Sequence, residues 1–587
     1  MEPRTTKRER KLHLSYDLPH RTHSAHIYPI RAPNGSTLII YAQDRGITLV
    51  WRGGRRRRDV HSTPPRANGT SHHQGITAAV GSSAELAHQA LDHQLEDEED
   101  ELDPDCPYQE IIHTVDVDLG AEVLRLAVPS LPSPLGKMSR LSRLGAVAVA
   151  CSDGSIGTLT FHLLPPSAAE MQDYQQAFDT HRQAFANPGQ YCTSLAAKAF
   201  TQGAEQSTSE PGETLVIAAT VLDKLHILHL TIDTRSAASD GIKAKVVPLP
   251  CAARKISLHP SARSTEVLLS DISGAVRVYD LSPRAINIDD NPADNSVSGQ
   301  SSSESSGRWD IHFMTPFTSQ SGSLCRPKQV LDAAWVLNGK AILAVLEDGE
   351  WGIWTLTGHA QAGGNPGDFV LRGSLGASIA GEPSHSAKQP KSRLAPMTPN
   401  TRKVKSETFF AGPTNVAGAA ARGGISVVTS SVRAGQTDES VILWYNNDLY
   451  TIPSLQTFWQ RSTKSSSGGG LGSLYAPGLT RITDLNLMNE CITSVSQFAP
   501  TAASSGVGQM NTQRDLLVAA EHRLIILQAL RPPGPARTLF QPAAVERPTS
   551  HDQVMLDAGN LDVGGMDRML DSMANSDARP RKVGFAR

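Results

Sequence analysis

The sequence predicts an all-β fold: a ring of about seven four-stranded antiparallel blades, with disordered loop insertions and a short C-terminal helix. Two observations lead to it. The stretch Lys255–Leu281, KISLHPSARSTEVLLSDISGAVRVYDL, reads as three short strands separated by His259-Pro260 and by Asp271–Gly274. Strands of this length, punctuated by Pro, Ser, Asp and Gly, form an antiparallel meander. The same order of strand, Asp- or Gly-containing turn and strand then recurs along the 587 residues. A lone meander leaves both of its faces bare, so repetition is what buries a core.

In chain order, Ser36–Trp51 is the first recurrence, turning at Asp44-Arg45-Gly46. Ile111–Val128 with Gly145–Leu163 is the second, turning at Ser152-Asp153-Gly154. Glu213–Asp233 is the third, with Leu222-Asp223-Lys224 at its turn, and Lys255–Leu281 is the fourth. Val330–Leu356 is the fifth; Asn338-Gly339 is a tight hairpin signal and Glu347-Asp348-Gly349 is its next turn. Gly424–Ser431 with Ser440–Ile452 makes the sixth, and Ile492–Phe498 with Asp515–Leu527 the seventh. The ring therefore spans residues 16–530.

Other segments break the pattern. Residues 1–15 read as a basic flexible N-terminus whose Lys7, Arg8, Arg10 and Lys11 form a candidate targeting patch. Residues 54–105 hold the arginine run Arg55, Arg56, Arg57 and Arg58 and the acidic run Glu96–Glu101. Like-charge blocks repel internally, so this is a disordered insertion. The polar stretches 284–327, 360–405 and 461–475 read the same way. In 167–186, Met171, Tyr174, Phe178, His181 and Phe185 recur at helical spacing and predict a helical insertion.

The tail, 531–587, begins Pro-rich. Met566, Met569, Leu570 and Met573 then fall at i, i+3, i+4 and i+7, predicting an amphipathic helix over about 564–574. Burying those side chains gives about 6–12 kcal/mol gross, against about 8–16 kcal/mol to order some eight residues. Such a helix forms in a groove, on a partner or on its own propeller.

Composition narrows the function. The net charge of −3 gives no global attraction to nucleic acid or membrane. No apolar run is long enough for a membrane span, and no secretory signal follows the N-terminus. Cys106, Cys151, Cys192, Cys251, Cys325 and Cys491 are scattered without a CxxC, which argues for a reducing compartment. Ser467–Gly472 is Gly-rich but lacks the Lys-Ser/Thr of a phosphate loop. The strand histidines His226, His229 and His259 suit packing or turn roles. The reading is non-enzymatic, with no catalytic, cofactor or metal residues and no small-molecule substrate.

The fourth unit resembles a WD-type (WD40-like) propeller blade. Tyr279-Asp280 stands where that family carries Trp-Asp, and Trp51 and Trp354 take the corresponding place in two other units. Two longer stretches resemble the filamentous-fungal form of the small WD-repeat nucleoporin of the Y-shaped nuclear pore scaffold. One is Tyr16–Arg56; the other runs from Val441–Ser462 through Gly472–Ile482 to Gln509–Leu527. The resemblance implies a structural propeller of the nuclear pore complex at the nuclear envelope, supporting mRNA and protein transport. It implies other Y-complex nucleoporins as partners, especially the arm subunit that joins a propeller to an α-solenoid. Members often have shorter loops, so the insertions here are a departure. The alternative is a WD-repeat adaptor of a ubiquitin ligase or RNA-processing assembly, recruiting through its basic segments; the near-neutral charge favours the scaffold.

Overall fold

The computed structural model describes residues 2–8, 11–56, 108–131, 139–167, 179–184, 190–201, 213–232, 243–282, 307–318, 325–356, 368–375, 421–433, 436–465, 478–483, 485–498, 514–529 and Met566. Two strands open the chain, β1 (Arg4–Arg8) and β2 (Lys11–Asp17). Blade 1 is β3 (Ala25–Ile27), β4 (Thr37–Gln43), β5 (Gly46–Arg52) and β6 (Ile111–Asp118). Blade 2 is β7 (Val123–Ala127), β8 (Leu144–Cys151), β9 (Ser155–His162) and β10 (Asp179–Ala184). Blade 3 is β11 (Cys192–Thr201), β12 (Glu213–Val221), β13 (Lys224–Ile232) and β14 (Lys243–Pro248). Blade 4 is β15 (Ala253–Leu258), β16 (Glu266–Asp271), β17 (Ala275–Asp280) and β18 (Arg308–Met314). Blade 5 is β19 (Val330–Val336), β20 (Ala341–Leu346), β21 (Glu350–Thr355) and β22 (Leu371–Ser374). Blade 6 is β23 (Gly423–Arg433), β24 (Gln436–Tyr445), β25 (Asp448–Ile452) and β26 (Thr480–Ile482), with helix α1 (Leu455–Ser465) between its last two strands. Blade 7 is β27 (Ile492–Gln497), β28 (Leu516–Ala520) and β29 (Arg523–Ala529), completed by β2 and β1.

The chain is thus a seven-bladed β-propeller. The first strand of each blade meets its counterparts in the neighbouring blades, so first strands line the central channel. Second strands such as β20 are buried throughout, because a neighbouring blade covers each face. The core accordingly lies between blades: one cluster joins Leu38, Ile40, Leu49 and Trp51 of blade 1 to Val147, Val149 and Phe161 of blade 2. The ring occupies Met1–Ala529; Leu530–Arg587 forms a separate unit in which Met566, the one residue described, is helical and exposed. The remainder of the predicted 564–574 helix lies outside the described residues.

Several expected boundaries are corrected. The N-terminus is no flexible tail: β2 pairs β29 from Lys11↔Ala529 to Asp17↔Arg523, and β1 adds a fifth strand. Leu12, Leu14 and Tyr16 alternate with polar residues and are buried, a period that the flanking charges obscure. Ile111–Asp118 belongs to the first blade, not the second. Part of the expected 167–186 helix is strand β10, whose Arg182 pairs with Asp153 at 2.6 Å. The stretches read as loops at 284–327 and 360–405 contain β18 and β22, and 461–475 overlaps the end of α1. The misplaced strands β6, β10, β18 and β22 are all outermost strands. Strands β18 and β22 are mostly exposed or half-buried and read as loops, and β10 reads as helix, whereas β6, with Val115 and Val117 buried, reads as a strand of the wrong blade.

Each blade boundary carries a polar tie. Trp51 donates its indole N–H to the Leu163 carbonyl across blades 1 and 2 (2.8 Å). The Leu141 amide donates to Glu213 across blades 2 and 3. Lys198 of blade 3 reaches three carbonyls of blade 4, those of His259, Ser261 and Ser264, at 2.6–2.9 Å. Trp335 donates to the Ser257 carbonyl across blades 4 and 5. The amides of Leu337 and Asn338 donate to the buried Glu439 carboxylate across blades 5 and 6, both at 2.6 Å. Gln497 donates to the Ser426 and Ser440 carbonyls across blades 6 and 7. Arg52 donates to Gln528 across the closing boundary and stands over the Phe498 ring.

If closure depends on β2, Leu14→Ala, at a side chain with 0% exposure, should cost about 2–5 kcal/mol. Denaturant unfolding of the full chain measures this, and an unchanged midpoint would refute the closing role.

Candidate docking surface

Chain direction gives the ring two unlike faces. One, the turn face, carries the second-to-third-strand turns: Asp44-Arg45, Ser152–Gly154, Leu222-Asp223, Ile272–Gly274, Glu347–Gly349, Asn446-Asn447 and Glu521-His522. The blade-to-blade connectors emerge beside them. The opposite, insertion face carries the first-to-second and third-to-fourth connections.

Charges on the turn face are largely matched within the ring. His23 meets Glu122 at 2.6 Å, Arg21 meets Glu521 at 2.7 Å, and Arg277 meets Asp271 at 3.1 Å. Arg326 meets Glu347 at 2.9 Å, and Lys328 meets Asp348 and Glu350 at 2.7 and 2.6 Å. Among these stand large exposed apolar side chains: Tyr191, Leu222, Ile272, Phe317 and Met488. Sequence reading assigned none of them a role. The signal available was an apolar residue at the tip of a polar turn.

The predicted basic residues gather on the insertion face at blades 7 and 1. Lys7 and Arg8 end β1, Lys11 begins β2 opposite Ala529, and Arg55 and Arg56 follow β5. Arg52 joins the two segments through Gln528, and Arg56 pairs with Glu110 at 3.3 Å. Arg10, Arg57 and Arg58 lie outside the described residues, as do Met569, Leu570 and Met573.

The residues in the tryptophan place are structural. Tyr279 is buried, and Asp280 accepts from the Thr265 hydroxyl (2.6 Å) and the Ser282 amide (3.0 Å), locking the end of β17. Trp354 stacks on Phe313 with ring centroids 5.2 Å apart. His259 packs against Trp335 and accepts from the Ser261 amide, a turn and packing role.

A cavity of about 370 Å³ opens between the first strands of blades 1–4, lined by His26, Ile27, Leu126, Leu195, Ile256 and Leu258 among others. Its one histidine is kept neutral, its pKa pushed down to about 4 by burial and by the nearby Lys255. Ser130 and Ser257 are the other polar side chains of that lining, which holds no carboxylate, cysteine or lysine. Among the described residues no group of three or more His, Cys, Asp or Glu is placed to hold a metal ion, and no helix is long and apolar enough to cross a membrane.

The family model described as the Nucleoporin NUP37 N-terminal domain matches residues 15–527, from β2 to β29. The chain belongs to the nucleoporin NUP37 family. Nucleoporin NUP37 of Chaetomium thermophilum is 28% identical over 602 aligned positions, covering 89% of this chain and 78% of that protein.

The His26 shift sets a pH window. Its folded pKa of about 4 lies below the ordinary 6.5. The unfolded chain therefore binds a proton first as pH falls, and stability is lost between pH 6.5 and 4. His26→Gln should flatten that part of a pH series of thermal melts; an unchanged slope would refute the assignment.

Proposed function

We propose that this chain is a non-enzymatic scaffold subunit of the nuclear pore complex, at the nuclear envelope. Its propeller docks, within the Y-complex, on the arm subunit that combines a propeller with an α-solenoid. The family match over 15–527, which takes in all seven blades, carries this reading. The largely self-matched charge of the turn face supports it. The tail residues Met566, Met569, Leu570 and Met573 serve as a second contact that folds on a partner. One observation favours an adaptor instead: Lys7, Arg8 and Lys11 share one end of the ring with Arg55 and Arg56. A polyanion bound there would be lost steeply as salt rises.

Affinity purification of the tagged full chain at about 0.15 M and about 0.5 M salt tests the choice. Y-complex nucleoporins recovered in equal amounts at both salts are the expected result. RNA or a ligase core, lost at the higher salt, would sink the scaffold reading. Changing Met566, Met569, Leu570 and Met573 together to Ser should reduce partner recovery and leave the melting temperature of the ring in place. Full recovery would remove the tail from the interface.

A further inference from the structure

The turn face holds a leucine at a turn position whose left-handed backbone favours Gly or Asn, and its packing does not explain the choice. Leu222 sits at φ +53° in the two-residue turn between Val221 and Lys224, and is 48% exposed. A left-handed leucine costs about 1–2 kcal/mol that Gly or Asn largely avoids. Leu337 shows what normally offsets that cost: at φ +54° it packs against the core cluster between blades 5 and 6. Among the described residues Leu222 joins none of the core clusters. Strained residues of this kind concentrate at binding surfaces. Met488, at φ +50° and 55% exposed on the connector into blade 7, combines the same two properties on the same face.

Two neighbours extend the surface. Ile272 is 50% exposed at the tip of the next blade's turn. That turn is held by Asp271, which accepts from the Ser273 and Ala275 amides, and by Gly274 at φ +81°. Nothing in its geometry asks for isoleucine at 272. Phe317, 61% exposed, follows Thr315, whose amide donates to the Gly274 carbonyl, and is fixed by a bridge to Pro327. The turns that carry the three residues are neighbours, since the Thr315 amide bond also ties the Phe317 segment to the turn of Ile272. The Leu249 amide donates to the Asp223 carbonyl and the Ile272 amide to the Ala252 carbonyl. Both turns therefore flank one short connector, whose three residue steps span at most about 11 Å.

We infer that Leu222, Ile272 and Phe317 form the arc of blades 3–5 on which the propeller docks, and that its occupant is an apolar groove of low charge between packed helices of a different protein. This rests on the scaffold reading and names the surface it uses. The low charge of the partner surface follows from the flanks. Asp271 and Glu347 are matched by Arg277 and Arg326, Asp348 and Glu350 share Lys328 and leave one net negative charge, and the exposed Asp223 and Lys224 stand side by side with opposite signs. The groove follows from shape. All three residues project from turns and connectors, so they are knobs, and ridges between packed helices leave holes that receive knobs. A two-fold pair of this chain would set the same knobs against one another.

The test compares the tagged full chain with Leu222→Asn and with the double variant Ile272→Asp/Phe317→Ser, reading partner recovery at both salts, melting temperature and mass by light scattering. Leu222→Asn should keep or raise the melting temperature, because asparagine tolerates the left-handed turn, yet cut partner recovery. The double variant should lower it roughly tenfold or more, as loss of central interface anchors does, equally at low and high salt. Wild-type recovery by both variants would overturn the arc while leaving the scaffold reading intact. A wild-type chain that recovers no nucleoporin would overturn the scaffold reading itself. A lower melting temperature for Leu222→Asn would mean that the leucine serves the fold. A wild-type dimer made monomeric by the double variant would replace the different protein with a second copy.

Discussion

The pairing of β2 with β29 is the contact on which every blade depends. A blade here has no core of its own; its inner residues are buried only by the next blade, as in the cluster shared by blades 4 and 5. An open ring would expose two such faces at once. The entropy of joining the chain ends grows only slowly with the length enclosed, so one long-range closure protects many interfaces. Contacts so far apart in sequence also slow folding, which puts a premium on local turns that form early. The Asp271 turn is one of these, satisfied by its own neighbours Ser273 and Ala275.

The polar ties between blades serve a second purpose. Apolar layers alone tolerate sliding, whereas a buried lysine or glutamate accepts one register. Lys198 is almost fully buried, and its pKa is pushed down to about 8 by burial. Its three carbonyl partners offset the cost of that charge only when the His259–Ser264 loop is correctly seated. The same loop brings His259 against Trp335, and Gly339 of blade 5 leaves room for that ring: a Cβ there would lie 2.0 Å from His259 Nε2. Glu439 then receives the Leu337 and Asn338 amides from the same turn. Blades 3 to 6 are thus keyed to one another through a single chain of buried polar contacts.

How much of this was legible in the sequence follows from which strands must be apolar. Second strands, such as Ala341–Leu346 and Leu516–Ala520, are covered on both sides and appear as unbroken apolar runs. Outer strands are not covered, so RWDIHFM at Arg308–Met314 looked like loop, and DTHRQA at Asp179–Ala184 was taken into a helix. The closing strand KLHLSYD alternates plainly, yet Arg8 and Arg10 before it gave the segment the look of a charged tail. The basic residues were found one by one, but that Lys11 and Arg55 share an end of the ring comes from topology alone. The arc around Leu222 escaped for a different reason. Leucine before aspartate is unremarkable in sequence, and only the sign of φ reveals that it is misplaced.

The energetics of that arc say what else a stable assembly needs. Fully burying a large apolar side chain is worth about 1.5–3 kcal/mol. Three knobs already about half buried would therefore add only about 2–5 kcal/mol between them. Association alone costs at least about 4 kcal/mol in lost freedom of motion. The arc, uncharged at its centre and so little affected by salt, sets where and in what orientation the ring docks, but it does not supply enough on its own for a permanent subunit. A further contact has to share the work. A second contact on the same partner, once the first is made, acts at a high effective concentration and multiplies affinity without needing to be strong itself. The tail contact proposed above, through Met566, Met569, Leu570 and Met573, is the one we propose for that role.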